Sequence, residues 1–162
     1  MHIATNSEVI DISLEVKTAE LAKKFSKILK KSDVVFFHGE IGVGKTTFIR
    51  YLVNSFQVNN HLNPTEVTSP TFNLVNEYDV GIFIIQHYDL YRLTSSNETK
   101  NIGLLENQKE ILTLIEWPEK IDNKIDNKID NKIELFFKYG EDMNKRFLSI
   151  KGLSKEKLNE IR

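Results

Sequence analysis

The chain has 162 residues, of which 40% are hydrophobic, 10% aromatic and 28% charged, and its formal net charge at pH 7 is −1. This length is typical of one folded domain, and the composition excludes the disordered and fibrous classes of protein. The near-neutral charge excludes attraction to nucleic acid or anionic lipid through summed charge alone.

The first third of the chain predicts strand, helix, strand and helix. Apolar residues alternate over 8–16 with the period of a half-buried strand, and from Thr18 they fall at helical spacing up to about Ser32. A β-branched and aromatic run at 34–37 predicts a strand, and 47–56 has a helical pattern. A strand, a glycine-rich loop and a helix therefore follow one another.

The rest of the chain predicts five more strands and a terminal helix. The strands cover 72–78, 82–88, 112–117, 133–139 and 146–150. Asp79 and Gly81 lie between the first two, which are expected to pair as a hairpin, and Ser154 is expected to cap the helix. Strands mixed with helices predict a single α/β domain over 1–162, with a mixed central sheet flanked by helices in three layers.

The sequence Ile-Asp-Asn-Lys occurs three times in tandem from Ile121 to Lys132. Its isoleucines would form a narrow apolar stripe on a helix, yet Asp and Asn are mediocre helix formers. We interpret 121–132 as a low-complexity insertion that forms a solvated loop or a marginal helix, and we predict that it is dispensable for function.

The chain has no cysteine, which excludes disulfides and thiolate metal sites and favours a reducing compartment. Residues 1–16 lack a basic region followed by an apolar one, and no segment approaches the roughly 18 to 20 apolar residues of a membrane span. We therefore expect a cytoplasmic protein that does not enter a membrane.

The strongest motif matches the phosphate-binding P-loop pattern. It reads Gly39-Glu40-Ile41-Gly42-Val43-Gly44-Lys45-Thr46. Glycines let successive backbone N–H groups turn toward phosphates, and the positive end of the next helix points at the same anion. We expect Lys45 to reach the β and γ phosphates, the Thr46 hydroxyl to bind Mg²⁺ and Thr47 to belong to the nucleotide site. The alternative is a glycine-rich turn, but a chance match to the full pattern is on the order of one in a hundred or rarer.

Other residues qualify for the same site. P-loop proteins hold metal or water with a carboxylate at the end of a neighbouring strand. Asp89 and Glu116 each follow such a predicted strand. Taken alone, each residue could equally be a solvated carboxylate at a strand end. His87 reads as an ordinary strand residue. The segment 68–71 is either an ordinary turn or a loop whose hydroxyls respond to the γ-phosphate.

The repeat also contains the Asn-Lys-x-Asp pattern by which GTPases recognise guanine, at 123–126 and 127–130. The match has no unique register, no apolar strand leads directly into it, and no Asp-x-x-Gly element lies between the P-loop and the repeat. We therefore expect ATP rather than GTP.

Four motifs in order resemble the TsaE (YjeE) family. They are the P-loop, Ser69-Pro70-Thr71-Phe72-Asn73-Leu74-Val75, His87-Tyr88-Asp89-Leu90-Tyr91-Arg92-Leu93 and Glu116-Trp117-Pro118-Glu119. The resemblance implies a small Mg²⁺-dependent ATPase with a P-loop NTPase-like fold, which supports formation of threonylcarbamoyladenosine in tRNAs reading codons that begin with A. It also implies action on the TsaD and TsaB proteins, with tRNA contacted only through their complex.

The resemblance further implies roles for single residues. It makes Thr46 and Glu116 the Mg²⁺ ligands, Lys45 the phosphate contact, and Asp89 a catalytic carboxylate that orients water or acts as a switch. It makes 69–72 and 89–92 two switch-like segments, and it places Trp117 near the nucleotide, although residue type alone would equally allow a core aromatic.

Two other functions stay open at this stage. A P-loop kinase usually needs an arginine-rich lid, and 94–110 contains no arginine. A nucleotide-gated binding module would hydrolyse ATP negligibly without a partner. The region after the Tyr-Arg-Leu motif also lacks the family's usual acidic character, which puts a partner contact there in doubt.

Overall fold

The computed structural model describes residues 9–70 and 72–162, which form one seven-stranded sheet with four α-helices. In chain order the elements are β1 Ile10–Asp11, α1 Glu15–Ile28, β2 Val34–His38, α2 Lys45–Asn59, β3 Val75–Asp79, β4 Ile84–Asp89, β5 Ile111–Glu116, α3 Asn123–Asp126, β6 Ile133–Tyr139, β7 Arg146–Lys151 and α4 Lys155–Glu160. Short 3₁₀ turns cover Ser96–Lys100, Gln108–Glu110 and Pro118–Lys120. Within the described ranges, no helix has the length and apolar character needed to cross a membrane.

The strand order is β1-β7-β6-β2-β5-β4-β3. The inner strands β6, β2, β5 and β4 run parallel, whereas β1, β7 and β3 pair antiparallel at the edges. The mixed α/β sheet expected from the sequence is therefore confirmed. Because β2, β5 and β4 are parallel neighbours, their carboxyl ends meet at one edge of the sheet, and the residues that follow them are brought together there.

The two faces of the sheet are covered differently. Helices α1 and α2 pack on one face around aromatic rings such as Phe25, Phe37 and Phe48, whose centroids lie 5.5 to 5.8 Å apart in contacting pairs. We call this the first core. The other face carries the second core, which comprises Val34, Phe36, Tyr88, Leu90, Leu93, Leu104, Ile115, Ile121 and Ile129. Short turns and α3, rather than long helices, supply its outer layer.

Three predicted boundaries are wrong. The strand predicted over 8–16 ends at Asp11, and residue 8 lies outside the described residues. The Asp11 carboxylate accepts a hydrogen bond from the Ser13 amide at 2.8 Å and turns the chain into α1, which begins at Glu15. Helix α1 ends at Ile28 rather than near Ser32, because Leu29 is already extended and Ser32 is left-handed. Strand β3 begins at Val75 rather than at 72, after a left-handed residue at 74.

The isoleucines of the repeat are not solvated. Ile121 and Ile129 are buried in the second core and Ile125 packs partly against it, so the expectation of a solvated loop is wrong for this stripe. One helical turn forms, because the Asp122 carboxylate accepts the Lys124 amide at 2.8 Å. The Asp126 carboxylate of the guanine-like pattern accepts a hydrogen bond from Lys132 Nζ at 2.8 Å. Burial of apolar side chains therefore organises a segment whose helix propensity is weak.

Candidate functional site

The loop 39–44 connects β2 to α2, and its shape depends on glycine. Gly39, Gly42 and Gly44 have φ values of 144°, 76° and 115°, which L side chains rarely adopt. A Cβ at Gly39 would also lie 2.7 Å from the Phe137 carbonyl oxygen. The first turn of α2 follows directly, and the N–H groups of a first turn have no intrahelical acceptor. This arrangement suits an anion at the loop.

Lys45 is buried and its ammonium turns back into the loop. Its Nζ donates to the carbonyls of Gly39 and Glu40, and it lies 4.0 Å from the centroid of the Trp117 ring. Burial lowers the pKa of Lys45, and the negative charges of Glu116, Glu119 and Asp89 oppose that shift. A buried ammonium whose direct contacts are two carbonyls and a ring is suited to an anionic ligand that replaces those weaker contacts.

Thr46 and Glu116 meet at the N-terminus of α2. The Thr46 hydroxyl donates to Glu116, with Oγ1 3.0 Å from Oε1 and 3.3 Å from Oε2, and Glu116 is 2% exposed. On the inner side, His87 Nε2 lies 2.9 Å from Glu116 Oε2. A hydroxyl and a carboxylate side by side are oxygen donors of the kind that Mg²⁺ prefers, so these residues fit that metal.

Asp89 connects the two segments that the sequence marks as switch-like. Its Oδ2 accepts a hydrogen bond from Ser69 Oγ at 2.5 Å, and its Oδ1 accepts the Tyr91 amide at 3.0 Å. Thr71 of the first segment lies outside the described residues. Phe72 is 84% exposed, and the guanidinium of the exposed Arg92 lies 4.6 Å from its ring centroid. The Asp89 carboxylate therefore connects the two segments at the edge of the site.

Trp117 has a left-handed backbone, with φ of 59° and ψ of 50°, directly after Glu116. Such a conformation is uncommon for a large side chain and persists where the surroundings hold it. The ring lies 4.8 Å from the Tyr91 ring, and it covers the Lys45 ammonium. Trp117 thus packs partly against the second core and also lies at the site.

The sequence analysis missed two residues from the hairpin of β6 and β7. Tyr139 Oη donates to the Ile41 carbonyl at 3.3 Å, and Arg146 Nη1 lies 3.9 Å from the position of a Cβ on Gly44. Both follow the P-loop by about a hundred residues, and only the pairing of β6 with β2 brings them close. The predicted strand over 146–150, which begins at Arg146, is the one sequence signal that pointed toward this residue.

A cavity of about 430 Å³ opens beside the phosphate loop. Its lining includes Gly44, Thr47, Lys145 and Arg146, together with residues at the start of α1. In the described part of the chain no ion pair engages the Arg146 guanidinium. The loop that suits phosphates is therefore continuous with a larger space that has a cation at its edge.

Comparison with known proteins identifies the family of this chain. The family model for "Threonylcarbamoyl adenosine biosynthesis protein TsaE" matches residues 12–147. The tRNA threonylcarbamoyladenosine biosynthesis protein TsaE of Rickettsia bellii is 43% identical over 116 residues, which are 72% of this chain and 77% of that protein. The protein of the same name from Rickettsia typhi is 39% identical over 140 residues, 86% of this chain and 92% of its own.

The fold has a solved counterpart. The crystal structure of YdiB from Bacillus subtilis superposes with a TM-score of 0.70 at 19% sequence identity and covers 99% of this chain and 97% of that chain. At this identity the likeness shows the fold, and the family rests on the sequence matches. The match over 12–147 includes the phosphate loop, Asp89 and the Glu116-Trp117 pair, and the chain belongs to the TsaE family of threonylcarbamoyl adenosine biosynthesis proteins.

Proposed function

We propose that this protein binds and hydrolyses ATP with Mg²⁺ and thereby supports formation of threonylcarbamoyladenosine in tRNAs reading codons that begin with A. Its partners in this proposal are the TsaD and TsaB proteins, through whose complex it acts on tRNA. The observation that carries the proposal is the buried Lys45 ammonium, enclosed by the phosphate loop and next to the Thr46-Glu116 pair.

Each residue has a defined part in this proposal. The amides of 39–47 cradle the phosphates, and Lys45 exchanges its carbonyl contacts for the β and γ phosphates. Thr46 and Glu116 would hold Mg²⁺, which neutralises phosphate charge when it is bound. Asp89 holds the attacking water or senses the γ-phosphate through Ser69, with which it shares a 2.5 Å hydrogen bond.

The adjacent cavity accommodates the rest of the nucleotide. Its volume of about 430 Å³ falls within the roughly 300 to 1,000 Å³ of typical ligand sites, and it begins at Gly44 and Thr47. In this proposal Arg146 also contacts the phosphates, because its guanidinium lies beside Gly44. Trp117 covers the catalytic lysine, and Tyr139 holds the loop through the Ile41 carbonyl.

The nucleotide part is tested by titrating ATP into the purified protein in the presence of Mg²⁺. We expect Lys45→Ala to weaken ATP binding by at least about tenfold, because a charge-assisted contact is lost from a buried site. The exposed Lys23→Ala, on α1, is the matched control and should bind as the wild type does. Equal affinity in all three proteins would contradict an ATP site at this loop.

The tRNA part is tested in cells and with the partner proteins. Depletion of the protein should lower threonylcarbamoyladenosine in bulk tRNA, and addition of TsaD and TsaB should raise ATP hydrolysis. Unchanged tRNA modification would contradict the proposal. Transfer of labelled γ-phosphate to an acceptor other than water would favour a kinase, and hydrolysis that stays negligible with both partners would favour a nucleotide-gated binding module.

A further inference from the structure

His87 is buried behind Glu116 and does not line the candidate site. It sits in β4, opposite Leu114 in the β4-β5 pairing, two positions before the Asp89-Glu116 pair. Side chains alternate along a strand, so His87 and Glu116 point to the same face and are diagonal neighbours across the two strands. His87 is 0% exposed and Glu116 is 2% exposed. The imidazole therefore touches the carboxylate from the side of the protein interior.

The hydrogen bonds of Glu116 come from two different elements of the fold. Thr46 Oγ1 approaches from α2 at 3.0 Å, and His87 Nε2 approaches from β4 at 2.9 Å. A carboxylate only accepts, so Nε2 carries the proton in this contact. Among the described residues, His87 Nδ1 is buried without a hydrogen-bond partner. The single polar contact of this side chain is thus the one to Glu116.

A buried polar group with one orphaned atom is costly in an otherwise apolar core. The neighbours of His87 on the same face include Ile85 and Leu114, both fully buried. An aliphatic residue at position 87 would suit those neighbours better if packing were the only demand. The contact to Glu116 is what distinguishes histidine from an aliphatic residue at this position.

We propose that His87 is a positioning residue that fixes one oxygen of the Glu116 carboxylate and so leaves the other directed at Thr46 and the metal. It does not touch nucleotide or metal itself. Groups that hold a metal-ligating side chain from behind set its orientation, and their loss typically weakens metal binding by about ten- to a hundredfold. This inference rests on the proposed Mg²⁺-ATP site and assigns a residue that supports it.

The experiment compares ATP affinity with Mg²⁺ and with EDTA in wild type, His87→Asn and His87→Gln. The amide nitrogen of glutamine reaches about as far along the side chain as Nε2, whereas that of asparagine reaches only about as far as Nδ1. We expect His87→Asn to lose about ten- to a hundredfold of the Mg²⁺-dependent gain in affinity while keeping the wild-type affinity in EDTA. His87→Gln should retain most of the gain.

Thr113→Val provides the matched control. Thr113 is buried in β5, faces the opposite side of the sheet, and its Oγ1 is also without a partner among the described residues. It should keep the full Mg²⁺-dependent gain. Thermal unfolding of each variant separates loss of fold from loss of metal coupling, since a merely structural histidine would weaken ATP binding equally in both conditions.

The outcomes separate the two proposals. A full Mg²⁺-dependent gain in His87→Asn, or an equal loss with Mg²⁺ and with EDTA, would overturn the role of His87 and leave the ATP site intact. Absence of ATP binding in the wild type would overturn the proposed function and this role with it. If His87→Asn does not fold, ¹⁵N spectra of the wild-type imidazole decide: a proton on Nε2 is expected, and a proton on Nδ1 alone would refute the contact.

Discussion

The substitution Ile129→Ala tests whether the tandem repeat packs against the sheet. Ile129 is 7% exposed and belongs to the second core. The change removes three carbon atoms, at about 0.8 kcal/mol for each buried group, so we expect a loss of about 2 to 3 kcal/mol in the free energy of unfolding. This falls at the low end of the range for Ile→Ala in cores, about 2 to 5 kcal/mol, because an outer layer made of short turns can collapse into the space.

Urea unfolding measures this loss as a lower midpoint at unchanged slope. The expected decrease in melting temperature is about 4 to 12 °C, from about 2 to 4 °C per kcal/mol for a chain of this size. Lys128→Ala, at the exposed neighbouring position, is the control and should stay within about 0.5 kcal/mol of the wild type. If Ile129→Ala unfolds as Lys128→Ala does, the repeat does not pack as described.

Three further outcomes are expected. Gly39→Ala should destabilise the fold by about 1 to 3 kcal/mol and weaken ATP binding, because the added Cβ would meet the Phe137 carbonyl oxygen. A variant that unfolds in urea at the same midpoint as the wild type would contradict this. Burial lowers the pKa of Lys45, and bound phosphates would raise it, so ATP binding should take up protons at alkaline pH. Calorimetry in buffers of different ionisation enthalpy should detect this proton uptake. An ATP affinity that does not fall with rising pH would refute it. Burial raises the pKa of Tyr88 to about 12 from 10.0, so the contribution of the neutral Tyr88 side chain to stability is complete below pH 10 and is lost toward pH 12. In Tyr88→Phe the free energy of unfolding should therefore fall less between pH 10 and pH 12 than in the wild type.

Deletion of two repeat units tests function separately from stability. Removing 125–132 also removes Ile129, so the shortened protein should be less stable than the wild type. The P-loop and its carboxylates remain in place in the sequence, so ATP and partner binding should persist below the unfolding transition. Loss of either binding activity in a folded deletion variant would show that the repeat is not dispensable for function.

Local chemistry made the phosphate loop readable from the sequence. A P-loop needs glycines, a lysine and a hydroxyl within eight consecutive residues, and all of them contribute through torsions and contacts of that one segment. Runs rich in β-branched, aromatic and other apolar residues likewise placed β2, β4, β5, β6 and β7 within one or two residues of their bounds, since strand propensity is largely a property of the segment itself. The carboxylates Asp89 and Glu116 were predicted because each follows an apolar strand, which is where P-loop proteins hold metal or water.

The sequence predicted the ends of elements and the burial of side chains less well than it predicted the phosphate loop. The chain enters α1 at Glu15 although apolar alternation continues to Val16, because the Asp11 carboxylate turns the backbone. The isoleucines of the repeat have weak local preferences, and their burial depends on a sheet face on which α1 and α2 do not pack. The first effect is a local side-chain hydrogen bond that apolar periodicity does not register, and the second depends on contacts with distant strands.

Sequence alone therefore determined the phosphate loop, the class of fold and the family likeness, because each rests on patterns within single segments of the chain. Tertiary structure alone showed which further side chains lie beside the residues that those patterns named. Tyr139 and Arg146 reach the loop through the pairing of β6 with β2, and His87 reaches Glu116 through the register of β4 with β5. Such contacts depend on strand order and register, which a single segment of sequence does not specify.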